Sequence, residues 1–261
     1  MSGKILYAVA DGVATITLSR PQVMNALDAQ MIVQLREACE QARDDARARA
    51  VLLRGEGPAF LAGGDVAFFR ENLPRMPELA AQGAGELHRA VLALRRTLKP
   101  VVASVHGAVA GAGMSLMAAA DFVIAAADTQ FTMAYSRIGA SPDGGSTFFL
   151  PRLIGYQRAM ELMLLSDMVD AATLHGFGLI NRVVPARALE SETRTVVARF
   201  AAGPTLAFGE TKALANRACD GLLEAQLAAE AQAFARCAAT RDFAEGVTAF
   251  VEKRSPQFRG A

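Results

Sequence analysis

Hydrophobic and polar residues alternate along the first part of the chain. The segment ILYAVADGVATITLS, residues 5–19, contains two runs rich in β-branched residues on either side of Asp11 and Gly12. A period of two predicts strands, and an Asp-Gly pair between two such runs is typical of a hairpin turn. The sequence therefore predicts a β-hairpin at the start of the chain.

The pattern next changes to a helical period. In residues 25–49 apolar side chains recur three and four positions apart behind Asp28, a residue type that commonly caps the start of a helix. A short apolar run, AVLLRGEG, then predicts a buried strand. Residues 69–85 contain Pro74 and Pro77, and we expect a mobile loop there because proline interrupts helices and sheets.

Strands and helices alternate in the middle of the chain, and helices dominate its last third. After a helix expected to end near Lys99, residues 99–128 predict a strand, a glycine-rich turn, a short helix and a second strand. From about Ile154 onward the periodicity is almost entirely helical. Alternating strands and helices are typical of an α/β core. The sequence therefore predicts an α/β fold followed by a helical region.

Composition and charge narrow the class of protein. The 261 residues are 52% hydrophobic, enough to bury a sizeable core. Basic and acidic residues nearly cancel, 27 against 26, and no basic block stands apart, so the charge pattern favours neither nucleic acid nor an anionic membrane as a partner. No stretch reaches the roughly 18 apolar residues that a membrane span needs. The N-terminus also lacks the apolar core of a signal peptide.

Cysteine and histidine usage points to a reducing compartment without a metal. Cys39, Cys219 and Cys237 are spaced neither like zinc ligands nor like an even set of disulfide partners, so we expect a cytoplasmic protein. None of the three histidines has a second ligand three or four residues away. We therefore expect the histidines to be structural and predict no metal site.

Three glycine-containing turns carry the candidate chemistry. They lie at residues 59–65 (AFLAGGD), 106–116 (HGAVAGAGMSL) and 141–146 (SPDGGS). Glycine lets the backbone approach a ligand closely, and the N–H groups at the start of a helix lack intrahelical acceptors. Two such turns facing one point would form an oxyanion hole, a pair of donors for a negatively charged oxygen.

Two other kinds of site fit these turns poorly. Leu116 occupies the place of the third glycine in a dinucleotide-binding GxGxxG motif, and no glycine run continues as the GK[ST] of a phosphate-binding loop. Ser115 and Ser146 both lie outside a GxSxG nucleophile motif. The sequence therefore disfavours a Rossmann site and a serine hydrolase.

Five stretches together resemble the enoyl-CoA hydratase/isomerase, or crotonase, superfamily. They are SRPQVMNALD, AFLAGGDV, KPVVASVHGAVAGAGMSLMAAADFVIA, AYSRIGASPDGGSTFFLPRLIG and FVEKRSPQFRG, in the order that the family has. The resemblance implies a spiral core of ββα units over residues 1–200 and a helical trimerisation region over residues 201–261. It also implies an acyl-CoA thioester substrate, no permanently bound cofactor, and a homotrimer or homohexamer.

The same resemblance assigns binding residues. The family's two oxyanion donors correspond to the N–H groups of Gly64 and Ala112. Contacts to the adenosine and pantetheine parts of coenzyme A, mostly through the backbone, would come from residues near the first donor: Gln22, Val23, Ala62, Asp65 and Val66. Lys253 either reaches a coenzyme A phosphate or is a solvated lysine at the end of a helix. Four phenylalanines are either pocket walls or core residues: Phe68, Phe69, Phe148 and Phe149.

The chain departs from the family pattern at two positions. Hydratases of the superfamily use two glutamates to activate and protonate water, and these positions hold Ser115 and Tyr135 here. Neither is a carboxylate, and both are poor bases near neutral pH. The acid falls instead at Asp143, in a context that resembles Δ3,Δ2-enoyl-CoA isomerases and the ring-epoxide isomerases of phenylacetate breakdown.

Two roles fit Asp143 at this point. It could cap the helix predicted to begin near Gly144, or it could carry a proton from C2 to C4 of an acyl-CoA thioester. Asp65, the other acid beside a donor, is expected to orient its loop. The resemblance favours an isomerase and leaves three alternatives open. These are a hydratase or other acyl-CoA lyase or hydrolase, a nucleophilic aspartate acting on an aromatic thioester, and a catalytically silent scaffold that binds coenzyme A or RNA.

Overall fold

The structure, a computed structural model, describes residues 3–218 and 222–261. Nine strands lie within these residues: β1 (Ile5–Ala10), β2 (Val13–Leu18), β3 (Ala50–Gly55), β4 (Val101–Val105), β5 (Ala108–Ala110), β6 (Phe122–Ala126), β7 (Gln130–Thr132), β8 (Val169–Asp170) and β9 (Arg182–Val184). Eleven α-helices lie within the same residues: α1 (Ala29–Asp44), α2 (Val66–Glu71), α3 (Met76–Arg96), α4 (Ala112–Ala118), α5 (Ser146–Ile154), α6 (Tyr156–Leu165), α7 (Ala171–Phe177), α8 (Leu189–Ala201), α9 (Thr205–Ala218), α10 (Leu223–Ala238) and α11 (Arg241–Glu252).

Six strands form the main sheet, in the order β1-β2-β3-β4-β6-β9. β1 and β2 are antiparallel and pair Ile5 with Leu18, and the turn between them holds Asp11 and Gly12 at positive φ. The other neighbouring strands are parallel. The predicted N-terminal hairpin is confirmed, and β3, β4 and β6 lie where the apolar runs predicted strands.

Helices cover both faces of the main sheet. Successive side chains of a strand point to opposite faces, so Leu53 packs into the cluster that contains Met31 of α1 and Leu94 of α3. Its neighbour Leu52 packs against Val196 of α8 on the other face. All five side chains are buried. Strands buried on both faces require nearly continuous apolar runs, which explains the composition of β3 and β4.

A second, three-stranded sheet positions one of the glycine-rich turns. Its order is β5-β7-β8, with β5 parallel to β7 and β7 antiparallel to β8. β5 ends at Ala110 and α4 begins at Ala112, so a single glycine, Gly111, turns the chain from strand to helix. Gly111 has a φ of +51°, a conformation that suits glycine.

One prediction about secondary structure is wrong. Residues 69–85 are helical: Pro74 lies in a 3₁₀ turn (Leu73–Arg75), and Pro77 is the second residue of α3. The N–H groups in the first turn of a helix have no intrahelical acceptor, so a proline there costs no hydrogen bond. These prolines therefore mark the start of a helix and do not interrupt one. Within the described residues, the chain after Ile154 is mainly helical, as predicted. Its two short strands are β8 and β9, and β9 forms an edge of the main sheet.

A partly buried lysine connects the C-terminal helices to the core. Nζ of Lys212 in α9 donates hydrogen bonds to the carbonyl oxygens of Leu94 and Lys99, at 2.8 and 3.2 Å, and to the carboxylate of Asp121 at 2.6 Å. Burial lowers the pKa of this ammonium group, although Asp121 opposes the effect. The predicted boundary between residues 200 and 201 falls at the last residue of α8.

Two further observations bear on the environment of the protein. Within the described residues, Cys39 is buried and unpaired and Cys237 is also a free thiol, whereas Cys219 lies outside them. Among the helices of residues 3–218 and 222–261, none is both long and apolar enough to cross a membrane.

Candidate active site

Two of the glycine-rich turns lie side by side. The N–H of Leu61 donates to the carbonyl oxygen of Ala108 at 3.2 Å, and the N–H of Ala110 donates to the carbonyl oxygen of Leu61 at 2.9 Å. These bonds pair Leu61 with Val109 in parallel. Further along the two segments, a Cβ built on Gly111 would lie 3.7 Å from the Cα of Gly63. The next residues, Gly64 and Ala112, therefore extend from adjoining backbone.

Glycine is required at the contact between these turns. A Cβ built on Gly113 would lie 2.3 Å from the carbonyl oxygen of Leu61, closer than real side chains approach. A Cβ on Gly63 would lie 3.2 Å from the carbonyl oxygen of Ala110, and Gly63 has a φ of +96°. Because side chains at these positions would separate the two backbones, the glycines keep the two candidate donors adjacent.

The N–H groups of Gly64 and Ala112 are available to a ligand. Ala112 is the first residue of α4, where an N–H has no intrahelical acceptor. Within residues 3–218 and 222–261, the structure gives neither N–H a hydrogen-bond acceptor. Two adjacent donors of this kind can stabilise one oxyanion.

The carboxylate of Asp143 accepts a hydrogen bond from a tyrosine. The hydroxyl of Tyr135 donates to Oδ1 of Asp143 at 2.5 Å, a length typical of a bond to a charged acceptor. The main-chain oxygen of Asp143 accepts from the hydroxyls of Ser115, at 2.8 Å, and Ser146, at 2.9 Å. Ser115 and Ser146 are fully buried, while Tyr135 and Asp143 are partly buried.

The alternative that Asp143 caps a helix is wrong. Helix α5 begins at Ser146, and the residue at its cap is Gly145, with a φ of +84° and no side-chain hydrogen bond. Asp143 lies two residues before this cap, and its carboxylate accepts a hydrogen bond from Tyr135. The side chain is therefore available for chemistry rather than for the helix start.

Two contacts connect Asp143 to the turn that carries Ala112. Ser115, which holds the main chain of Asp143, lies three residues after Ala112 in α4 and so on the same face of that helix. A Cβ on Gly111 would lie 3.8 Å from the ring of Tyr135. The main chain of Asp143 and the candidate donor of Ala112 are thus both connected to α4.

Burial keeps Tyr135 protonated. Burial first, and then the negative charge of Asp143 and the hydrogen bond to it, raise the pKa of Tyr135 well above its ordinary value. The phenol therefore remains a donor at neutral pH. Oδ2 of Asp143 accepts no hydrogen bond from any described residue.

An ion-pair network stabilises the turn that carries Gly64. Asp65 caps α2 by accepting hydrogen bonds from the N–H groups of Ala67 and Phe68, and its other oxygen binds Arg20 at 2.7 Å. Burial alone would raise the pKa of Asp65, but the bonds from Arg20 and from the two N–H groups outweigh it and hold the pKa below its ordinary value. Arg20 also contacts Asp28, at 3.5 Å. The expectation that Asp65 orients its loop agrees with these contacts.

The residues assigned to coenzyme A fall in two places. Gln22 and Val23 form an exposed 3₁₀ turn, Pro21–Val23, and the next residue accepts a hydrogen bond from the N–H of Ala62 at 3.0 Å. This bond brings them beside the segment Ala62, Asp65 and Val66. Lys253 lies elsewhere in the chain, exposed at the C-terminal cap of α11.

The phenylalanines differ in their surroundings. The ring of Phe69 lies against Gly64, where a Cβ would meet its Cζ at 2.5 Å. Phe149 is buried and packs on Gly145, whereas Phe148 is 41% exposed and lies under the guanidinium of Arg152. Of these phenylalanines, Phe69 is therefore the one that lies against the candidate donor Gly64.

The histidines make structural contacts. His106 and His175 each donate a ring N–H to a main-chain carbonyl oxygen at 2.8 Å, and His88 lies exposed on α3. In the described parts of the chain no group of three or more His, Cys, Asp or Glu side chains is arranged to hold a metal ion.

The partnership of Tyr135 with Asp143 was not predicted from the sequence. A local signal was present, because turn-forming residues, Gly139 and Pro142, lie between Tyr135 and Asp143. Gly139 has a φ of +67°, which allows the chain to fold back there. No local signal pointed to Arg20, because Arg20 and Asp65 are 45 residues apart.

Known proteins resemble this chain along nearly its whole length. A Rhodobacter capsulatus protein named "Probable enoyl-CoA hydratase" is 40% identical, and a 1,2-epoxyphenylacetyl-CoA isomerase of Escherichia coli is 37% identical; each alignment covers 98% of both chains. The crystal structure of an enoyl-CoA hydratase from Polaromonas sp. JS666 superposes with a TM-score of 0.93 at 37% identity, covering 98% of this chain and 100% of that one. Residues 8–261 match the family described as enoyl-CoA hydratase/isomerase. The chain therefore belongs to the enoyl-CoA hydratase/isomerase family and has the crotonase fold.

Proposed function

We propose that this protein is an acyl-CoA isomerase that converts a 3-enoyl thioester to a 2-enoyl thioester, with Asp143 as the proton carrier. The observation that carries the proposal is the contact of Asp143 with Tyr135 and Ser115, at 2.5 and 2.8 Å. These are the positions at which the resemblance puts the glutamates of a hydratase. Here both side chains hold the aspartate, so one carboxylate serves where a hydratase has two.

In the first step, Oδ2 of Asp143 takes a proton from C2 of the substrate. The C2–H bond breaks, an O–H bond forms, and the electron pair moves into the thioester carbonyl to give an enolate oxygen. The N–H groups of Gly64 and Ala112 would stabilise that oxygen, and one such donor contributes about 3 kcal/mol to lowering a barrier.

In the second step, the same carboxyl group returns the proton to C4. The enolate pair forms the C2–C3 double bond, and the former C3–C4 π pair forms the new C4–H bond. Asp143 ends the cycle as a carboxylate, and no water is added. One residue acts as base and then as acid, which general acid–base catalysis permits when both carbons lie within its reach.

The names of the relatives point to a second substrate class and to an alternative reaction. The Escherichia coli relative is named a 1,2-epoxyphenylacetyl-CoA isomerase, so rearrangement of a ring-epoxide thioester is a second substrate class for the same site. The Rhodobacter and Polaromonas relatives carry hydratase names, and hydration is the alternative reaction. Hydration would require Asp143 to activate water without a second carboxylate at position 115 or 135.

Coenzyme A is part of the substrate in this proposal. The adjoining segments around Val23 and Ala62 would bind its adenosine and pantetheine parts, mostly through main-chain groups, and Lys253 would reach a phosphate. The hydrogen bond between Met24 and Ala62 supports a shared binding surface, since it fixes the two segments side by side.

Assembly into a trimer or hexamer through residues 201–261 is also part of the proposal. Apolar side chains along one face of α11 are exposed: Phe243, Val247, Phe250 and Val251, at 36, 49, 85 and 74%. Exposed apolar surface of this kind marks protein contacts. Sedimentation should give three or six times the chain mass of 27.5 kDa, and a monomer would contradict the proposal. A cytoplasmic location stays a prediction from cysteine usage.

A turnover screen in oxygen-18 water tests the reaction. The substrates are 3-enoyl, 2-enoyl and ring-1,2-epoxyphenylacetyl thioesters. We expect conversion of the 3-enoyl or the epoxide thioester without oxygen-18 in the product. Incorporation of oxygen-18 from a 2-enoyl thioester would establish a hydratase, and binding of acyl-CoA without turnover would establish a silent scaffold.

A further inference from the structure

The two oxygens of the Asp143 carboxylate have different surroundings. Oδ1 accepts the hydrogen bond from Tyr135, and Oδ2 accepts none from the described residues. The hydroxyl of Ser115 lies 3.5 Å from that of Tyr135 and holds the main-chain oxygen of Asp143. The aspartate is therefore held at two points, by one hydroxyl at the carboxylate and by another at the backbone.

We propose that Tyr135 is a positioning residue that makes Oδ2 of Asp143 the single proton-carrying oxygen, while Ser115 fixes the main chain beneath it. This inference rests on the proposed function, because it concerns how the same carboxylate moves a proton. It assigns new roles to the two positions where hydratases of the family keep glutamates.

The physical reason is the freedom of an aspartate side chain. The terminal torsion of aspartate is broad and nearly two-fold, so an unrestrained carboxylate presents either oxygen to the substrate. A proton that must travel from C2 to C4 needs an oxygen at a fixed place, since a displacement of about 1 Å can cost about a hundredfold in rate. Tyr135 removes this freedom by occupying Oδ1.

Tyr135 remains a hydrogen-bond donor to Asp143 at neutral pH. Burial raises the pKa of Tyr135 and so keeps its phenol protonated. The other neighbours of this segment are uncharged: Ser115 of α4, Ser146 of α5 and, packed against Gly144, Leu87 of α3. No ion pair of the described residues includes Asp143. Tyr135 is accordingly the titratable side chain in contact with it.

The chain contains a matched control. The hydroxyl of Tyr7 donates to Oδ2 of Asp45 at 3.0 Å, and burial raises the pKa of Tyr7 to about 12. This tyrosine–aspartate pair joins β1 to the end of α1. Tyr7→Phe therefore removes a bond of the same chemistry outside the candidate site.

Kinetics form the first arm of the test. For turnover of a 3-enoyl thioester, Tyr135→Phe should lower kcat about ten- to a hundredfold with little change in KM, in keeping with loss of a hydrogen bond to a charged group. Ser115→Ala should also lower kcat, because it releases the main chain of Asp143. Tyr7→Phe should change neither kcat nor KM. A kcat for Tyr135→Phe equal to that of the unchanged protein would overturn the inference.

Carbon-13 NMR without substrate forms the second arm. In protein carrying carbon-13 carboxyl aspartate, the signal that Asp143→Asn removes belongs to Asp143. Tyr135→Phe should move this signal, because it removes the hydrogen bond to Oδ1, while Tyr7→Phe should leave the signal in place. An unmoved signal would refute the positioning role even if the protein turned over no enoyl thioester. Failure of turnover together with a moved signal would refute the proposed function alone. Thermal unfolding of each variant confirms that it is folded.

Discussion

Gly144 lies directly against Ser115. A Cβ built on Gly144 would come within 2.8 Å of the Cβ of Ser115, and Gly144 has a φ of +60°. We expect Gly144→Ala to lower the free energy of unfolding by about 2–4 kcal/mol, because backbone strain and overpacking each cost about 1–3 kcal/mol. Urea unfolding at one protein concentration measures the change.

Gly139→Ala is the control for this substitution. Gly139 has a similar φ of +67°, but no atom lies within 4 Å of its Cβ position. We expect Gly139→Ala to lower the free energy of unfolding by only about 1 kcal/mol, from backbone strain alone. Equal losses for the two variants would show that the contact with Ser115 contributes nothing.

Gly113→Ala should separate the two donor turns. The added Cβ would meet the carbonyl oxygen of Leu61 at 2.3 Å, so one of the two paired backbones must move. The turn that carries Gly64 would then shift relative to the turn that carries Ala112. We expect kcat to fall about 10²- to 10³-fold, as it does when one oxyanion donor is lost.

A second helical glycine provides the comparison. Gly85 of α3 has no atom within 4 Å of its Cβ position. Gly85→Ala should leave kcat unchanged and raise the free energy of unfolding by up to about 1 kcal/mol, because alanine favours a helix. An unchanged kcat for Gly113→Ala would contradict the proposed oxyanion hole.

Asp143→Asn should abolish isomerisation while leaving acyl-CoA binding intact. The amide has nearly the shape of the carboxylate and can still accept the bond from Tyr135, but it cannot carry a proton. We expect kcat to fall by about 10²- to 10⁴-fold, the usual contribution of a general acid or base. Asp128→Asn, at an exposed position, is the control, and retained activity in Asp143→Asn would reject the assignment.

Asp65→Asn should destabilise the protein in a pH-dependent way. The pKa of Asp65 is held below its ordinary value of 3.8 in the folded state, so its contribution is fully present above that value and is lost as pH falls through the folded-state pKa. Asparagine can still cap α2, and the expected loss, from the bond with Arg20, is about 1 kcal/mol.

The measurement for Asp65 is the urea midpoint across the pH range. The difference from the unchanged protein should be constant between about pH 5 and about pH 7 and should shrink at lower pH. Asp128→Asn should show no difference at any pH. If the difference in urea midpoint between Asp65→Asn and the unchanged protein grew as the pH fell, the Asp65 carboxylate would not be stabilised by Arg20.

Much of the fold follows from local pattern. The hairpin of β1 and β2, the cap of α1 at Asp28 and the buried strands β3 and β4 all depend on periodicity or on a cap within a few residues. The helical nature of residues 69–85 was missed because Pro77 was taken to interrupt a helix and instead begins one. The strand β9 was missed because its three residues gain their partners only from β6, more than fifty positions earlier.

The sequence by itself determined the glycine turns, the family resemblance and the absence of a carboxylate at positions 115 and 135. Only the tertiary structure decided what Asp143 contacts. A cap is a local interaction and can be expected from spacing, but the bond from Tyr135 and the hold of Ser115 depend on where β7, α4 and α5 meet. Because hydrogen-bond partners far apart in the chain are selected by packing, the sequence left the cap open even though the resemblance favoured the proton carrier. The fold excluded the cap.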